Sequence, residues 1–427
     1  MTSRSLIEDG LLTGITSFRI WLILYGGLLI FIDTVFCTYF PTTVLGTILL
    51  TGVLWKFRLP LASKDDVEGF FGVSFRPSLQ LDDNLDPTSN TPIQDQPGLT
   101  VKSRLLLMRS PPSQLSTSSS NGQKNGQKNG GRIVSEAPLI VVGHRGAGLD
   151  APENSLSAIR ECKNRGCEAV EFDVNLTKDN IPVLFHDDNL IRIAGIDRNI
   201  KDMTLDELKK VDISIMHPLG DRFRKERVPT FEEAVNLCLS IGMKFIIDLK
   251  DDDETVIAAV VSLFQKHQCY SMGIVSSFYV KAVYDVRRRD PKIIGCMAWR
   301  PGYYRYTTWS SNWENLEPRQ KSLYMDWAAI IMDAVNDWGI NCLYWWFVGL
   351  SAILFQKDSI TREETYRWMK RDVRIYAWTV NSPLEKLHFV QNVQLGYLTD
   401  SLDGGEVNTV NSLQSSPNQK TFSILRT

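Results

Sequence analysis

Residues 141–148 read VVGHRGAG, an apolar run that gives way to glycines at the point where a histidine and an arginine appear. Adjacent valines are typical of a buried strand, and the glycines at 143, 146 and 148 would let the chain turn sharply. His144 can carry a proton near neutral pH, and Arg145 offers a planar fork that matches phosphate oxygens. The stretch therefore predicts a strand that ends at an anion-binding turn.

Seven more apolar segments of strand length follow, and helical patterns separate them. Together with the first, the predicted strands are residues 139–142, 169–176, 244–249, 273–276, 293–299, 351–355, 374–380 and 396–399. Such alternation predicts a parallel sheet covered by helices, and eight strand-helix units in roughly 250 residues is the size of a (β/α)8, or TIM, barrel. We therefore predict an α/β fold of this type over residues 136–406.

A polar turn at residues 178–180 separates the second predicted strand from a short apolar run at 183–186. A turn of this kind between two strand patterns predicts a hairpin. We expect the hairpin to open a small insertion, at about residues 177–229, after the second barrel strand.

Polar side chains stand at or near the carboxyl ends of four of these runs. They are His144 and Arg145, Glu171 and Asp173, His186 and Asp187, and Asp248 and Lys250. In a barrel these ends converge on one mouth, so residues far apart in the chain would share one pocket.

Three carboxylates of that set suggest a metal site. Glu171 and Asp173 are two residues apart, so both point to the same face of a strand, and Asp248 lies near the end of the next barrel strand. Carboxylates that lose hydration together need a cation between them. Oxygen ligands alone suit Mg²⁺ or Ca²⁺ better than zinc. A solvated strand edge is the alternative for either strand taken alone.

Two of the chain's five histidines, His144 and His186, end strands beside the predicted metal. Hydrolysis of a phosphodiester needs one proton to be accepted and another to be donated, so these two form a candidate acid/base pair. Arg145 and Lys250 would neutralise charge on the phosphate.

Three further residues near the mouth have competing interpretations. Glu153, in the stretch APENS at 151–155, would reach the metal or brace Arg145, unless it belongs only to a helix start. Trp378 and Asn381, in AWTVN at 377–381, end the seventh strand. There the indole would contact the non-phosphate part of a substrate or pack in the core.

An apolar block lies near the start of the chain. Residues 20–32, IWLILYGGLLIFI, carry no charge, and residues 18–40 are long enough for one transmembrane helix. Residues 42–58 would form a second span or lie in the membrane interface. Basic residues are equal in number on both sides of the block, so the positive-inside rule leaves its orientation open. We predict a membrane anchor in residues 1–59.

Residues 60–135 are rich in polar residues and end in the near-repeat NGQKNGQKNGG, which predicts a flexible linker. Residues 407–427 are predicted to be a disordered tail. A membrane crossing in the apolar stretch at about 323–350 would separate the last three strands from the first five. We expect instead an apolar helix that rests on the membrane, followed by a buried strand, with core burial as the alternative.

Composition limits the remaining function classes. The chain has 427 residues, 43% of them apolar, which is enough for a sizeable core. Its formal net charge of −2 excludes the global cationic field of a nucleic-acid-binding protein. The seven cysteines are scattered without the spacing of a zinc site or a disulfide framework.

Eight short motifs, in this order, resemble the glycerophosphodiester phosphodiesterase family over residues 138–404. They are HRGA, APENS, VEFDV, PVLFHDD, VPTFEEAV, IDLK, SSF and WTVN. The resemblance implies a distorted barrel with a small insertion and metal-dependent cleavage of a glycerophosphodiester to glycerol 3-phosphate and an alcohol. It also implies that His144 and His186 are the acid/base pair, that Glu171, Asp173 and Asp248 hold the metal, and that Arg145 and Lys250 contact phosphate.

Within the family, the apolar block and the insertion at 323–350 are similar to those of an animal membrane subfamily. That similarity implies a plasma-membrane or endomembrane protein whose catalytic domain faces the lumen or the exterior. It implies substrates such as glycerophosphoinositol, glycerophospho-N-acylethanolamine or a lysophospholipid-like molecule, and an RGS-type signalling protein as a partner. Two departures from the family pattern are Asp248 in place of Glu and Ser155 in place of Thr.

Two competing functions would use the same residues. A phospholipase C-like enzyme on a similar barrel would release a cyclic product. A membrane scaffold or receptor would bind a partner without essential catalysis. For the hydrolase itself, direct attack by water and attack by a substrate hydroxyl through a cyclic intermediate both stay open.

Overall fold

Eight parallel strands close into a barrel in the computed structural model, which describes residues 21, 24–30, 41–72, 141–223, 225–308 and 316–402. In chain order the strands are β1 Val141–Gly143, β2 Ala169–Leu176, β3 Pro182–Leu184, β4 Asn189–Leu190, β5 Ile196–Asn199, β6 Lys244–Leu249, β7 Gly273–Ser277, β8 Ile294–Trp299, β9 Ala352–Gln356, β10 Arg374–Trp378 and β11 Gly396–Thr399. The barrel order is β1, β2, β6, β7, β8, β9, β10, β11, and β1 pairs with both β2 and β11. The predicted barrel and its eight strand positions are confirmed.

The barrel is distorted between β1 and β2. These strands pair only through Val142 with Ala169 and Gly143 with Val170, because β1 then breaks into a 3-10 turn. Toward its carboxyl end, β2 pairs instead with the antiparallel β3, where Val174 lies opposite Leu184. The predicted hairpin is therefore present, and it adds β3 to the edge of β2.

Helices surround the barrel, and turn-forming residues begin several of them. The α-helices are α1 Pro41–Phe57, α2 Lys64–Phe71, α3 Leu156–Asn164, α4 Ile191–Ala194, α5 Leu205–Leu208, α6 Phe231–Ser240, α7 Glu254–His267, α8 Val280–Arg289, α9 Leu323–Gly339, α10 Arg362–Lys370 and α11 Pro383–Leu387. Short 3-10 helices span His144–Gly146, Ile200–Asp202, Gly220–Phe223 and Lys357–Ser359, and π-helical segments span Ile340–Gly349 and His388–Val393. Ser155 caps α3 by accepting the Ala158 N–H, which satisfies one free donor of the helix end.

Alternate residues of the strands build an outer and an inner core. Outward residues of β2 and β6 pack under the helices, with the rings of Phe172 and Phe245 stacked at 6.1 Å. Burial of one such ring stabilises the fold by roughly 1.5–3 kcal/mol. The insertion has its own small core under the two-stranded β4–β5 sheet, which includes Leu190 and Ile200.

Helix α2 closes the end of the barrel opposite the mouth. Phe70 and Phe71 are fully buried in the inner core, and Phe71 lies 5.6 Å from the ring of Tyr376. Lys244, the first residue of β6, donates a 2.5 Å hydrogen bond to the Phe70 carbonyl. The prediction of a flexible linker from residue 60 is therefore wrong for residues 60–72, because the two phenylalanines bury enough apolar surface to hold this segment.

Several predicted segments lie outside the described residues. They are most of the span at 18–40, the linker beyond residue 72 and the tail at 407–427. The second candidate span corresponds to α1. Across the described part of the chain, none of the helices combines the length and the apolar character that a bilayer crossing needs. The apolar stretch after residue 323 forms α9 and a π-helical segment, followed by the buried strand β9.

Candidate active site

Three carboxylates meet inside the mouth of the barrel. Glu171 and Asp173 share the inner face of β2, and Asp248 on β6 is the register partner of Asp173. All three are buried, and a carboxylate oxygen of each lies within 4.8 Å of the others. The structure thus brings together the predicted metal ligands, which lie up to 77 positions apart (248 − 171) in the chain.

The chemistry of this cluster fits a hard divalent cation. Asp248 Oδ1 is buried and has no hydrogen-bond partner among the described residues. Burial, with the charge of Asp173 beside it, raises the pKa of Glu171 to about 8. Both features are signs of negative charge that the side chains alone do not balance, and the ligands are all oxygen atoms.

Lys250 partly neutralises the cluster. Its Nζ lies 2.5 Å from Asp173 Oδ1 and 2.7 Å from Asp248 Oδ2. Burial works against the charged ammonium, but the two carboxylates outweigh it and raise the pKa of Lys250. Asn154 Nδ2 donates to the second oxygen of Asp173 at 2.7 Å. Lys250 therefore stays charged at the mouth, where a phosphate would bind.

Groups of the turn His144–Gly146, called the HRG turn below, contact the same carboxylate cluster. The backbone N–H of Arg145 donates to Glu171 Oε2 at 2.8 Å, and its Nη1 donates to Glu153 Oε1 at 3.1 Å. Arg145 Nε lies 3.5 Å from Asp173 Oδ2, is buried and makes no hydrogen bond with the described residues. This nitrogen is a free donor beside the carboxylate cluster.

Only one of the three glycines in this turn has a left-handed backbone. Gly146 has φ +79°, and a Cβ there would lie 2.5 Å from Ala158 Cβ on α3. Gly143 has φ −73°, so its importance is space: a Cβ would lie 2.4 Å from Cys162 Sγ. The sharp turn expected from glycine is made by Arg145, Gly146 and Ala147, all with positive φ.

His144 is oriented by a carboxylate that the sequence did not reveal. Its Nδ1 donates to Asp400 Oδ1 at 2.6 Å, which leaves Nε2 facing the cluster, 4.0 Å from Glu171 Oε2. Burial alone would lower the pKa of His144, but Asp400 reverses that effect and raises it. Asn381 holds Asp400 in place, because it donates to Asp400 Oδ2 and accepts the Asp400 N–H.

His186, which follows β3, has the same kind of arrangement. Its Nδ1 lies 2.7 Å from Asp187 Oδ1, so Nε2 is again the nitrogen left to contact a ligand. Arg192 donates to Asp187 and, through two nitrogens at 2.7 Å each, to Glu153. Burial would raise the pKa of Glu153, and the arginines hold it below its usual range. Arg192 therefore ties the insertion to the HRG turn.

The contacts of Glu153, Asn381 and Trp378 bear on their competing interpretations. The Glu153 carboxylate is bound by Arg145 and Arg192 and does not belong to the group with metal-ligand spacing, so it braces Arg145. Asn381 forms hydrogen bonds with Asp400 and Thr399, and its contact with substrate stays a prediction. Trp378 donates its indole N–H to the Leu354 carbonyl.

An aromatic wall adjoins the carboxylate cluster. The rings of Phe278 and Tyr303 stack at 4.3 Å, and Trp378 packs edge-on against Phe278 at 5.8 Å. Burial raises the pKa of Tyr303 far above its usual range, and the charge of Asp248 adds to the shift. This wall is an apolar surface for the part of a ligand that extends away from the phosphate.

Sequence analysis did not predict four of the site residues, namely Asn154, Arg192, Tyr303 and Asp400. Asp400 directly follows β11, so the strand-end argument applied to the other strands would have found it. Asn154 lies within the APENS motif but carries no charge. Arg192 and Tyr303 lie in loops or short elements with no signal that separates them from surface residues.

Comparison with known proteins finds similarity to phosphodiesterases. The model of the glycerophosphoryl diester phosphodiesterase family matches residues 144–403. Glycerophosphodiester phosphodiesterase 1 of Rattus norvegicus is 31% identical over 263 residues, which cover 61% of this chain and 77% of the rat protein. The Homo sapiens protein of that name has the same identity and coverage. A phosphodiesterase from Oleispira antarctica, solved with the product sn-glycerol-3-phosphate, aligns with TM-score 0.48 and 22% identity over 64% of this chain and 96% of its own.

Proposed function

Because the chain belongs to the glycerophosphoryl diester phosphodiesterase family and is a phosphodiesterase, we propose that it hydrolyses glycerophosphodiesters to glycerol 3-phosphate and an alcohol with a bound divalent ion. The observation that carries this proposal is the approach of Glu171, Asp173 and Asp248 within 4.8 Å at the mouth of the barrel. The charged groups and anchored histidines around them are those that phosphodiester hydrolysis requires.

The phosphate binds between the carboxylate cluster and the HRG turn. Arg145 offers a buried Nε–H without a hydrogen-bond partner among the described residues, and Lys250 offers an ammonium that its neighbours keep charged. Glu171, Asp173 and Asp248 would hold Mg²⁺, or Ca²⁺ in its place, and such an ion would supply Lewis-acid stabilisation of charge on the phosphate. Pre-arranged positive groups of this kind lower the barrier because they need no reorganisation during the reaction.

The two imidazoles move the protons. Asp400 and Asp187 each hold the Nδ1 of one imidazole, so both Nε2 atoms are presented for proton transfer. One imidazole accepts a proton from the attacking hydroxyl or water, and the other donates a proton to the leaving alcohol. Loss of either histidine then lowers kcat more than it changes KM.

The alcohol part of the substrate lies against Trp378, Phe278 and Tyr303. An aromatic wall favours inositol rings or acyl chains over a small, strongly hydrated group. This supports glycerophosphoinositol, glycerophospho-N-acylethanolamine or a lysophospholipid-like molecule as substrate. The RGS-type partner and the lumenal or extracellular location stay predictions from the family resemblance.

Phosphorus NMR of the full chain with a panel of glycerophosphodiesters tests the proposal. We expect glycerol 3-phosphate as the phosphorus product, no turnover after EDTA, and recovery with Mg²⁺ or Ca²⁺. His144→Ala and His186→Ala should be inactive, and His388→Ala, which lies on the π-helical segment after α11, should be fully active. A cyclic phosphate as the final product would favour the phospholipase C-like alternative, and full turnover in EDTA would refute the metal site. A His144→Ala protein that keeps every cellular effect would support the scaffold alternative.

A further inference from the structure

Helix α9 exposes most of its large apolar side chains. Its outward side chains are large and apolar, with exposures from 43% for Val335 to 79% for Tyr324. The others are Leu323, Met325, Trp327, Ile331 and Met332. Its buried residues are all small or polar, namely Ala329, Asn336 and Gly339. A surface helix of a soluble domain places apolar residues inward, so this helix is suited to an apolar medium.

The three acidic residues of α9 all accept hydrogen bonds from other residues of the protein. Asp333 accepts the backbone N–H groups of Tyr304 and Arg305, at 2.8 and 3.2 Å. Asp326 pairs with the Arg305 guanidinium at 2.9 Å, and Asp337 accepts the indole N–H of Trp299 at 2.9 Å. The outward face of α9 is therefore free of unpaired charge. Uncharged hydrocarbon complements such a face better than a polar protein surface does.

Helix α1 exposes apolar side chains on all of its sides. Each residue from Leu45 to Val53 is exposed, over nine residues, and the helix has no charged residue before Lys56. Since nine residues make two and a half helical turns, these side chains point in every direction. A folded partner covers one side of a helix, whereas lipid surrounds it. The uncharged residues 20–32 precede this helix in the chain.

Helix α1 contacts the π-helical segment Ile340–Gly349, which directly continues α9. Trp55 and Trp346 have ring centroids 6.1 Å apart, and the Arg58 guanidinium lies 4.9 Å over the Trp346 ring. Leu59 N–H donates to the Phe347 carbonyl at 2.9 Å. Tryptophan beside Lys or Arg is typical of the membrane–water interface.

We propose that α1 and the outward face of α9 form one lipid-facing surface that rests in the hydrocarbon and headgroup region of a bilayer. The surface reaches the mouth, because Asp333 of α9 binds the backbone of Tyr304, next to Tyr303 of the aromatic wall. An acyl-bearing phosphodiester would then move from the bilayer along α9 to the mouth, and this route rests on the proposed function. The docking itself does not depend on catalysis.

Fluorescence quenching tests the docking directly. Cysteines introduced by Ile331→Cys on α9 and by Arg160→Cys on α3, four strands away around the barrel, carry a fluorophore in full chains with Cys37→Ser and Cys342→Ser. In phosphatidylcholine vesicles with brominated acyl chains, we expect strong quenching at position 331 and none at position 160. Equal quenching at both positions, or none at 331, would overturn the proposal. Burial of the 331 label without quenching would indicate a protein partner and would also overturn it.

Activity gives a second, separate readout. Trp327→Glu with Ile331→Glu should lower turnover of a vesicle-borne lysophospholipid by about tenfold or more, since a charge is costly in hydrocarbon. Turnover of a water-soluble glycerophosphodiester should not change, and Arg160→Glu should affect neither substrate. If the unmutated chain turned over neither substrate, the proposed function would be refuted, but the quenching result would still test the docking. Equal turnover of the vesicle-borne substrate by mutant and parent would refute the route along α9.

Discussion

Nδ1 of His144 lies 2.6 Å from Oδ1 of Asp400, although 256 residues separate them in the chain. The contact exists because β11, which Asp400 follows, pairs with β1, which His144 follows. Closure of the barrel thus supplies the carboxylate that orients the first histidine. The second histidine obtains its carboxylate from the next residue, Asp187.

Asp400→Asn should lower kcat by about 10²- to 10⁴-fold with little change in KM, because the amide no longer holds the Nδ1–H of His144 by charge. Steady-state kinetics on a glycerophosphodiester measures both constants. Asp206→Asn, on the exposed side of α5, is the matched control and should be neutral. A kcat for Asp400→Asn within a factor of about two of the parent would show that this contact does not support catalysis.

Asp248→Asn should weaken binding of Mg²⁺ or Ca²⁺ by at least about 10- to 100-fold, because the site loses one of its three anionic ligands. Asp248→Glu should still bind the ion, since glutamate supplies the same oxygen. Isothermal titration calorimetry without substrate measures the affinity. Asp251→Asn, at an exposed ion pair with Lys201, is the control. Unchanged affinity in Asp248→Asn would exclude this carboxylate as a ligand.

Gly146→Ala should destabilise the fold more than Gly242→Ala. Both positions have positive φ, +79° and +64°, so alanine costs about 1–2 kcal/mol at each. At Gly146 the new Cβ also lies 2.5 Å from Ala158 Cβ, which adds roughly 1–3 kcal/mol of strain, whereas nothing lies within 4 Å at Gly242. Urea unfolding measures both variants, and equal losses would contradict the close packing of this turn.

Phe70→Ala should lower the free energy of unfolding by about 3–5 kcal/mol, because it opens a cavity in the inner core. Leu61→Ala, at a side chain that is 63% exposed, should change it by less than about 0.5 kcal/mol. Urea unfolding again compares the two. If Phe70→Ala were as neutral as Leu61→Ala, residues 60–72 would be the flexible linker that their composition suggests.

Asp337→Asn should stabilise the fold more at pH 8 than at pH 5. Burial raises the pKa of Asp337 to about 7, so the folded chain keeps a proton that the unfolded chain releases near pH 4. Stability of the parent therefore falls as pH rises from about 4 to 7, by up to roughly 1.4 kcal/mol per pH unit, and asparagine removes this loss. The amide oxygen can still accept the Trp299 indole N–H. The same gain at both pH values in urea unfolding would contradict the shift.

Much of the fold was predictable because it depends on local pattern. The run AVEFDVNL predicted β2 at residues 169–176, which is where the structure has it, and it placed Glu171 and Asp173 on one face. Polar residues at strand ends predicted the metal cluster, because parallel strands in a barrel end at a common mouth. Prediction from composition failed at residues 60–72, because this polar segment also contains Phe70 and Phe71, which are buried.

The sequence by itself determined the strand periodicity, the barrel and the residue types gathered at its mouth, since each follows from the chemistry of neighbouring residues. Only the tertiary structure decided that Asp400 orients His144, that Arg192 binds Glu153 and that Phe70 fills the barrel end. The first two of these contacts join positions 256 and 39 residues apart in the chain. Because closure of the barrel and docking of the insertion create these neighbours, no local pattern of residues can specify them.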